Sequence, residues 1–462
     1  MKNEYFSRRA FLLALSSMAA TIGLGFTTIK QSGLFPGADP AVDARKNAYA
    51  REQLRGQSYE GIITAADGTP FTQASQEGYP AMVLDNSYAN ICGYRSKSFG
   101  LAGLRKLYEN ELCYAEKAHG HGSTLRTTIC ASLQRKAYEL TAGYRSSIVL
   151  LDADSGAVIT LADRPSETVE FDTNNITADK MAEYNNQPNF WYPPSTTCCL
   201  QPGSVQKVVD AAAIISSGIP QEYTDTGTSQ TGIQNAGHSV YGDMGLKTML
   251  VKSVNTYAAD MTPRVGSECF LRTLEEFCYN KTVVLDWGAT LNPRITFDPD
   301  DIGGWSQLCI GHGAIQTSPL HMALMLGSVL HPEGQMTQPF MVQQVTRESG
   351  LVVHHEDGGN ILSTAIPESS VREQLVQALS ETAAGYHLSV PGGGIVVAKT
   401  GTAAKENSDK SNVFLAFALQ SPSGRRFAGA ISRENVDGSS NQLKPIAAEF
   451  INYILEEEKN IV

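Results

Sequence analysis

The chain has 462 residues, of which 42% are hydrophobic and 18% are charged, and its formal net charge is −11. This length allows two or three domains with a substantial buried core, and the composition excludes wholesale disorder. The acidic balance argues against a general nucleic-acid binder, because phosphate recognition requires a basic surface.

The N-terminus carries a membrane-targeting pattern. Basic residues within the first nine positions precede residues 10–29, an uncharged stretch about long enough to cross a bilayer core. We therefore predict a cytoplasmic tail over residues 1–9, a single-pass transmembrane signal anchor over residues 10–29, and a location at the cell membrane with the remainder outside the cytoplasm. A cleaved signal is the alternative, although the nearest Ala-x-Ala, Ala48 to Ala50, lies too far downstream for ordinary cleavage.

A linker and a first extracytoplasmic region follow the predicted anchor. Residues 30–42 are rich in glycine and proline, which is typical of a linker. Residues 43–145 then mix a predicted strand at 61–64 with helices at 101–114 and 124–140. No catalytic pattern occurs in this region.

Metal and disulfide patterns are weak. His119 and His121 have no third ligand at a suitable spacing, so a solvated loop is favoured over a metal site, and no cofactor is predicted. Eight cysteines in an exported chain could form disulfides, but the sequence fixes no pairing. For the adjacent Cys198 and Cys199, we favour an interpretation as small buried residues over a thiol nucleophile.

Residues 146–462 form a second, larger predicted domain. Its predicted strands are 148–151, 158–161, 395–398, 413–419 and 427–431. Its main predicted helices are 204–216, 319–330 and 444–458, with Gly218 as a stop signal, Ser318 as a cap and Pro445 in a first turn. The strands imply an antiparallel sheet built from both ends of the domain, with the helices between them.

Three short motifs carry the chemistry: Ser204-Val-Gln-Lys207, Ser253-Val-Asn255 and Lys399-Thr-Gly-Thr402. One helical turn separates Ser204 from Lys207, so the hydroxyl and the amine can face the same cleft and the amine can take the hydroxyl proton. Each motif alone is weak, and a second Ser-x-Asn at residues 439–441 falls after Lys399 and breaks the order. Together, in this order, the three motifs predict one acyl-transfer site.

The motif order resembles that of the penicillin-binding transpeptidases, and most closely that of class B. Pro202-Gly203 before the serine is typical of that class, as is the downstream pattern Ile310-Gly-His-Gly313 and Thr317-Ser-Pro-Leu-His-Met-Ala323. A weaker likeness begins at Tyr59, where Tyr59-Glu-Gly-Ile-Ile-Thr-Ala-Ala-Asp-Gly68 lacks the Arg and the Asp of the family's segment.

The resemblance implies a role for each motif residue. Ser204 would be the nucleophile, Lys207 its base and Ser253 the relay that passes a proton toward the leaving amine. The implied substrate-binding residues are Asn255, Lys399, Thr400, Gly401 and Thr402. Backbone N–H groups of Ser204 and Thr402 would form the oxyanion hole, and Gly401 would let the substrate backbone approach closely. Burial and the charge of Lys399 would lower the pKa of Lys207.

The resemblance also implies the fold and the function. The fold would be α/β of the α+β type, as in the penicillin-binding transpeptidases and serine β-lactamases: an antiparallel sheet flanked by helices, with an all-helical subdomain. A non-catalytic pedestal would occupy residues 43–145 and the transpeptidase domain residues 146–462. The implied activity is D,D-transpeptidation of peptidoglycan stem peptides ending in D-Ala-D-Ala, with covalent binding of β-lactams. The pedestal is too short for a glycosyltransferase domain, so a separate membrane polymerase is an expected partner.

Two alternative functions remain at this point. A D,D-carboxypeptidase or a serine β-lactamase would use the same nucleophile but transfer the acyl group to water, and the pedestal argues against the β-lactamase. A catalytically silent subunit of wall assembly would keep the fold for binding partners. We interpret His312 and His321 as packing or polar-contact residues rather than catalysts.

Overall fold

The computed structural model describes residues 50–74, 76–405 and 408–461. The tail, anchor and linker predicted for residues 1–42 lie outside the described residues, as does the start of the predicted pedestal. Within the described ranges, no helix is both long and apolar enough to cross a membrane.

The N-terminal region is built around a four-stranded sheet that takes two strands from a distant part of the chain. Ile63–Thr64 pairs in parallel with Thr124–Thr127, which pairs antiparallel with Val342–Thr346. Val352–His355 completes the sheet at its edge. The other elements of the region are Thr72–Gln73 paired with Met82–Val83, Arg95–Ser96 paired with Gly100–Leu101, and the helices Ala89–Cys92, Gly103–Leu107, Glu109–Cys113 and Ala131–Leu140.

The helix predicted over residues 124–140 is wrong in its first part. Thr124–Thr127 is a strand, and the helix begins only at Ala131. The strand has neighbours on both sides that satisfy its backbone groups, and Leu125 is fully buried. This pairing overrides the local helical pattern. The helix predicted at residues 101–114 is present but is divided at Tyr108 into two short helices.

A buried ion cluster holds the N-terminal region together. Glu60 accepts from Arg105 Nε at 2.7 Å and from Arg95 at 2.8 Å, and the side chains of Glu60 and Arg105 are each 1% exposed. Arg105 also donates to the backbone carbonyls of Gly93 and Ala81. Glu60 lies in the segment that lacks the family's Arg. Its carboxylate pairs with two arginines from later in the chain, Arg95 and Arg105.

A five-stranded antiparallel sheet forms the centre of residues 146–461. Its strands are β1 (Ser146–Asp152), β2 (Val158–Arg164), β3 (Ile395–Ala404), β4 (Lys410–Gln420) and β5 (Arg426–Asp437). The strand order is β3-β4-β5-β1-β2, and the register pairs Lys399 with Ala416 and Ile431 with Ile148. The predicted sheet from both ends of the domain is confirmed, and β3 lies at one edge.

Helices cover both faces of this sheet. Pro319–Leu330 packs on β4 and β5, and Ser318 caps it by accepting from the backbone N–H of His321, as predicted. On the other face, Ala131–Leu140 and the closing helix Lys444–Glu457 share an apolar cluster with the sheet. Pro445 lies in the first turn of the closing helix, as predicted.

A mainly helical region lies between β2 and β3 and provides the second wall of a cleft. Its helices are Ala178–Asn185, Lys207–Ser217, Leu246–Lys252, Asn255–Met261, Ser267–Glu276, Ile302–Cys309 and Ser369–Gly385. Its remaining strand pairs are Tyr223–Asp225 with Gly242–Met244, Val283–Val284 with Thr290–Leu291, Arg294–Ile295 with Ile315–Gln316, and Gln335–Thr337 with Ile361–Thr364. Sheet, flanking helices and helical region together confirm the predicted fold class.

All eight cysteines lie within the described residues, and none is bonded to another. Five of them are buried: Cys92, Cys113, Cys130, Cys278 and Cys309. Burial raises the pKa of the Cys92 thiol to about 12, so this thiol stays protonated at neutral pH. Cys198 is half-buried and Cys199 is exposed, so the interpretation as a buried residue does not hold for Cys199.

Candidate active site

Ser204 lies in a single 3-10 turn, Gly203–Val205, that leads directly into the buried helix Lys207–Ser217. The helix predicted from Ser204 therefore begins one turn later than expected and ends at Gly218, in the left-handed region at φ 69° as its stop signal predicted. This placement puts Ser204 at the N-terminal end of the helix, where backbone N–H groups favour negative charge.

Lys207 contacts residues of two of the three motifs. Its Nζ atom lies 3.1 Å from Ser204 Oγ, 2.6 Å from the Ser253 carbonyl oxygen and 2.6 Å from Asn255 Oδ1. The last two atoms are acceptors only, so they take both N–H bonds of a neutral amine. The remaining lone pair is then free to accept the hydroxyl proton of Ser204.

The surroundings of Lys207 favour this neutral form. The side chain is fully buried, and burial lowers its pKa well below the usual range for lysine. The charge of Lys399 lowers the pKa further, while the carboxyl of Asp210 acts in the opposite direction. An amine in this state can act as a base near neutral pH.

Ser253 connects the two lysines of the site. It ends the helix Leu246–Lys252 in the left-handed region, at φ 58°, which turns its side chain and its carbonyl toward Lys207. Its Oγ atom lies 2.9 Å from Lys399 Nζ and 3.4 Å from Lys207 Nζ. The hydroxyl is thus placed to pass a proton between the lysines and a ligand.

Asn255 is fixed by a network that the sequence did not reveal. It begins the helix Asn255–Met261, and its backbone N–H donates to Asn235 Oδ1 at 2.8 Å. Asn235 in turn donates to Asp225 at 3.0 Å, and Asn255 Nδ2 donates to the Gln234 carbonyl. Asn235 comes from a loop, and no sequence spacing links it to the motif.

The Lys399-Thr-Gly-Thr402 motif lies on edge strand β3, and glycines bring this strand against the turn that holds Ser204. A Cβ atom added at Gly401 would overlap the carbonyl of Pro202, and one at Gly203 would lie 2.6 Å from the Thr402 carbonyl. Gly203 also needs its φ of 53°. A glycine is therefore required at position 401 for β3 to pack against the turn that holds Ser204.

The edge position of β3 directs backbone groups into the cleft. Thr400 N–H points away from β4, because it contacts the Tyr386 hydroxyl at 3.4 Å. In an antiparallel strand, N–H groups two residues apart point to the same side, so Thr402 N–H points to the cleft edge as well. Thr402 N lies close to Gly203, the residue before Ser204, so its N–H group is near the predicted nucleophile.

These groups line a cleft of 430 Å³ that brings all three motifs together. Its accessible cations are Lys252 and Lys444, and within the part of the chain that the structure describes no Asp or Glu lines it. Residues 439–441, the second Ser-x-Asn, also line the cleft, with Ser440 N–H donating to Thr402 Oγ1 at 3.2 Å. The cleft therefore favours an anionic ligand.

The histidines take different positions. His321 is fully buried between Thr317 Oγ1 and the Phe277 carbonyl, each at 2.7 Å, and burial lowers its pKa to about 4, which confirms a polar-contact role. His312 lines the cleft, and burial followed by the charge of Lys207 lowers its pKa. In the N-terminal region, His119 is exposed against Glu77, and His121 stacks on a tyrosine ring.

Sequence reasoning missed Tyr386, which follows the helix Ser369–Gly385, and Lys444, which begins the closing helix. Both line the cleft. Neither belongs to a motif, and only the fold brings Tyr386 to Thr400 and Lys444 to Tyr386. Among the residues that the structure describes, no group of three or more His, Cys, Asp or Glu side chains could hold a metal ion.

Comparison with known proteins gives one consistent result. Residues 146–456 match the family model described as the penicillin binding protein transpeptidase domain. Penicillin-binding protein PbpB of Mycolicibacterium smegmatis is 27% identical over 253 residues, which are 51% of this chain and 37% of that protein. The chain thus spans little more than a third of the length of this curated relative.

Solved structures share the fold. The D,D-transpeptidase domain of a peptidoglycan glycosyltransferase from Eggerthella lenta is similar with a TM-score of 0.74 and 20% identity, covering 87% of this chain and 99% of that one. Penicillin-binding protein A from M. tuberculosis, solved as a penicillin G acyl-enzyme complex, is similar with a TM-score of 0.75 and 17% identity, covering 86% of this chain and 100% of that one.

Proposed function

Because the chain belongs to the penicillin-binding protein transpeptidase family, we propose that it is a peptidoglycan D,D-transpeptidase with Ser204 as its nucleophile. The membership confirms the resemblance to the class B penicillin-binding proteins that the three motifs indicated. The proposed substrate is a stem peptide ending in D-Ala-D-Ala, and β-lactams would acylate the same serine. One observation carries this proposal: the two acceptors that occupy both N–H bonds of Lys207 and leave its lone pair to Ser204.

In the first step, the Ser204 hydroxyl proton moves to Lys207 Nζ while Oγ bonds to the carbonyl carbon between the two D-alanines. The carbonyl oxygen takes the negative charge, and the N–H groups of Ser204 and Thr402 stabilise it. Collapse then breaks the C–N bond. The leaving amine takes a proton through the Ser253 hydroxyl, which Lys399 and Lys207 both approach.

In the second step, an amine of a neighbouring stem peptide attacks the acyl carbon and releases its proton along the reverse route. Oγ of Ser204 recovers its proton as the new amide forms, so the two steps balance without a cofactor. In class A β-lactamases, a Glu activates the water that hydrolyses the acyl-enzyme. No carboxylate lines the described part of the cleft, which argues against that route of hydrolysis.

We further propose that the chain is anchored at the cell membrane through residues 10–29, with its catalytic domain on the extracytoplasmic face. The uncharged stretch and its basic flank support this. A separate glycan polymerase would supply the strands that this enzyme cross-links, because residues 43–145 are too few to form a glycosyltransferase domain. Fractionation of cells expressing the full chain and its residue 1–29 deletion would test the anchor.

The nucleophile is tested by incubating the purified full-length protein with benzylpenicillin, followed by intact mass and peptide mapping. We expect one stable adduct on the peptide that contains Ser204, none in Ser204→Ala, and an unchanged adduct in Ser216→Ala, an exposed serine on the same helix. An adduct that turns over within seconds would favour a β-lactamase. Full-length protein that folds but never acylates would favour the silent assembly subunit.

A transpeptidase is then distinguished from a carboxypeptidase by the molecule that accepts the acyl group, an amine or water. With a D-Ala-D-Ala donor peptide and an added amine, we expect release of D-Ala together with an amide product that increases with amine concentration. Release of D-Ala with only the hydrolysed peptide, at every amine concentration, would reject the transpeptidase.

A further inference from the structure

Two residues outside the three motifs form one wall of the cleft. Tyr386 follows the helix Ser369–Gly385, and its Oη atom lies 2.9 Å from Thr400 Oγ1 and 3.4 Å from Thr400 N. Lys444 begins the closing helix, and its Nζ atom lies 4.4 Å from the centroid of the Tyr386 ring. Three separate segments thus meet at Tyr386, which contacts Thr400 on one side and Lys444 on the other.

The hydrogen bonds of Tyr386 hold the Thr400 side chain in place. Tyr386 Oη accepts from the Thr400 backbone N–H and shares a second hydrogen bond with Thr400 Oγ1, in which either hydroxyl can be the donor. When Tyr386 donates this bond, Thr400 keeps its own O–H proton for a ligand in the cleft.

Lys444 carries a charge that its neighbours do not neutralise. Exposed lysines elsewhere pair with carboxylates, as Lys410 does with Asp437 at 2.7 Å. Among the described residues, Lys444 forms no ion pair and instead lies over an aromatic ring. A cation held by a ring face remains available to an anion that enters the cleft.

The electrostatic potential around Tyr386 and Lys444 is positive. Burial alone would raise the pKa of the Tyr386 hydroxyl, yet its pKa is below the ordinary value because Lys399, the hydrogen bonds with Thr400, and Lys444 favour the anion. The buried Lys399 lies directly behind Thr400, with Nζ 3.2 Å from the Thr400 carbonyl. An anionic group at this end of the cleft would thus lie near the Thr400 hydroxyl and two lysines, of which Lys444 lines the cleft and Lys399 is buried behind it.

We propose that Tyr386 and Lys444 complete the site for the terminal carboxylate of the donor peptide or β-lactam. Tyr386 is a positioning residue, because it acts by orienting Thr400. Lys444 is a binding residue, whose ammonium provides the countercharge. This inference rests on the proposed transpeptidase function and adds two residues that determine its preference for ligands with a free carboxylate.

The test compares acylation by benzylpenicillin with acylation by its methyl ester, in which the carboxylate is blocked. In full-length Lys444→Met, we expect the second-order rate constant to fall about tenfold for benzylpenicillin, the usual effect of losing a charged hydrogen-bond partner. The constant for the ester should stay within about twofold of the unchanged protein. Tyr386→Phe should show the same selective loss, and Lys444→Arg should retain the preference.

Lys252→Met is the matched control, because Lys252 is an exposed lysine of the same cleft but lies beside Ser253. It should leave the ratio of the two rate constants unchanged. Equal losses for both compounds in Lys444→Met, or no loss for either, would overturn the inference. A ratio that also falls in Lys252→Met would overturn it, since the effect would then come from the general charge of the cleft.

A second measurement does not depend on acylation. In Ser204→Ala, we expect a diacetyl-Lys-D-Ala-D-Ala peptide to bind more tightly than its C-terminal amide, and the added Lys444→Met change should remove this preference. If the unchanged protein acylates with neither penicillin, the proposed function is wrong. The binding preference still decides the role of Lys444, and its persistence without Lys444 would reject that role.

Discussion

Nζ of Lys207 and Oδ1 of Asn255 lie 2.6 Å apart, although 48 residues separate them in the chain. The amide oxygen accepts a hydrogen bond without adding charge, so it orients the amine and leaves it neutral. A carboxylate at the same point would hold the proton on Lys207 instead. The choice of amide over acid at residue 255 therefore controls the strength of the base.

Asn255→Asp should slow acylation strongly at neutral pH. An adjacent carboxylate favours the ammonium form and raises the pKa of Lys207, so less of the reactive neutral amine remains at neutral pH. The loss should shrink as the pH rises, because the base is then deprotonated. The pH profile of benzylpenicillin acylation measures this, and a loss independent of pH would show that only geometry was changed.

Asp210→Asn should stabilise the fold more at high pH than at low pH. Burial raises the pKa of Asp210 well above its ordinary value, and one of its carboxyl oxygens has no hydrogen-bond partner. In the unfolded chain the group ionises near its usual pKa, so this carboxyl costs stability increasingly as the pH rises toward its folded-state pKa. Asparagine removes that cost.

We expect the melting temperature of Asp210→Asn to rise by about 2–4 °C at pH 8 and by less at pH 4.5. Thermal unfolding at both values checks this. An equal shift at the two pH values would attribute the effect to packing rather than to ionisation.

Glu60→Gln should destabilise the N-terminal region severely. The change leaves Arg95 and Arg105 buried without their charged partner, which typically costs about 3–5 kcal/mol. Denaturant unfolding measures the loss. Glu183→Gln, which removes only the exposed pair with Lys180, should leave the stability almost unchanged, because surface pairs contribute little. Similar losses for both variants would contradict this explanation.

Gly401→Ala should impair acylation without removing any catalytic side chain. The added methyl group overlaps the Pro202 carbonyl, so β3 must move away from the turn that holds Ser204. We expect the acylation rate constant to fall by more than about tenfold, since small displacements of reacting groups are costly. Gly56→Ala, where nothing lies within 4 Å of the added atom, should acylate normally. Normal acylation by Gly401→Ala would show that the strand can shift freely.

The sequence predicted the motif residues of the site, but it did not predict all of the residues that line the cleft. Motif order and the family resemblance were sufficient to predict that Ser204, Ser253 and Lys399 share one site, and Lys207 and Ser253 join them in the structure. Tyr386 and Lys444 could not be predicted, since only the packing of their helices brings Tyr386 to Thr400 and Lys444 to the Tyr386 ring. The composition around either residue contains no signal of that contact.

Local patterns failed where pairing partners lie far away. The strand Thr124–Thr127 was predicted as helix because its partner Val342–Thr346 is more than two hundred residues downstream. The hairpin at residues 148–161 was predicted correctly, because both strands and their turn are adjacent in the chain. Pairing between strands that are distant in the chain cannot be read from the pattern of hydrophobic residues in either strand.

The shared sheet of the N-terminal region has a consequence for the order of assembly. Val342–Thr346 and Val352–His355 supply half of its strands, so this sheet cannot close until the chain has been made to residue 355 of 462. Until then, the outer edge of Thr124–Thr127 stays open to pairing with other chains. The N-terminal sheet therefore cannot be completed before residues 342–355 are present. A chain truncated before residue 342 would keep that edge of Thr124–Thr127 unpaired.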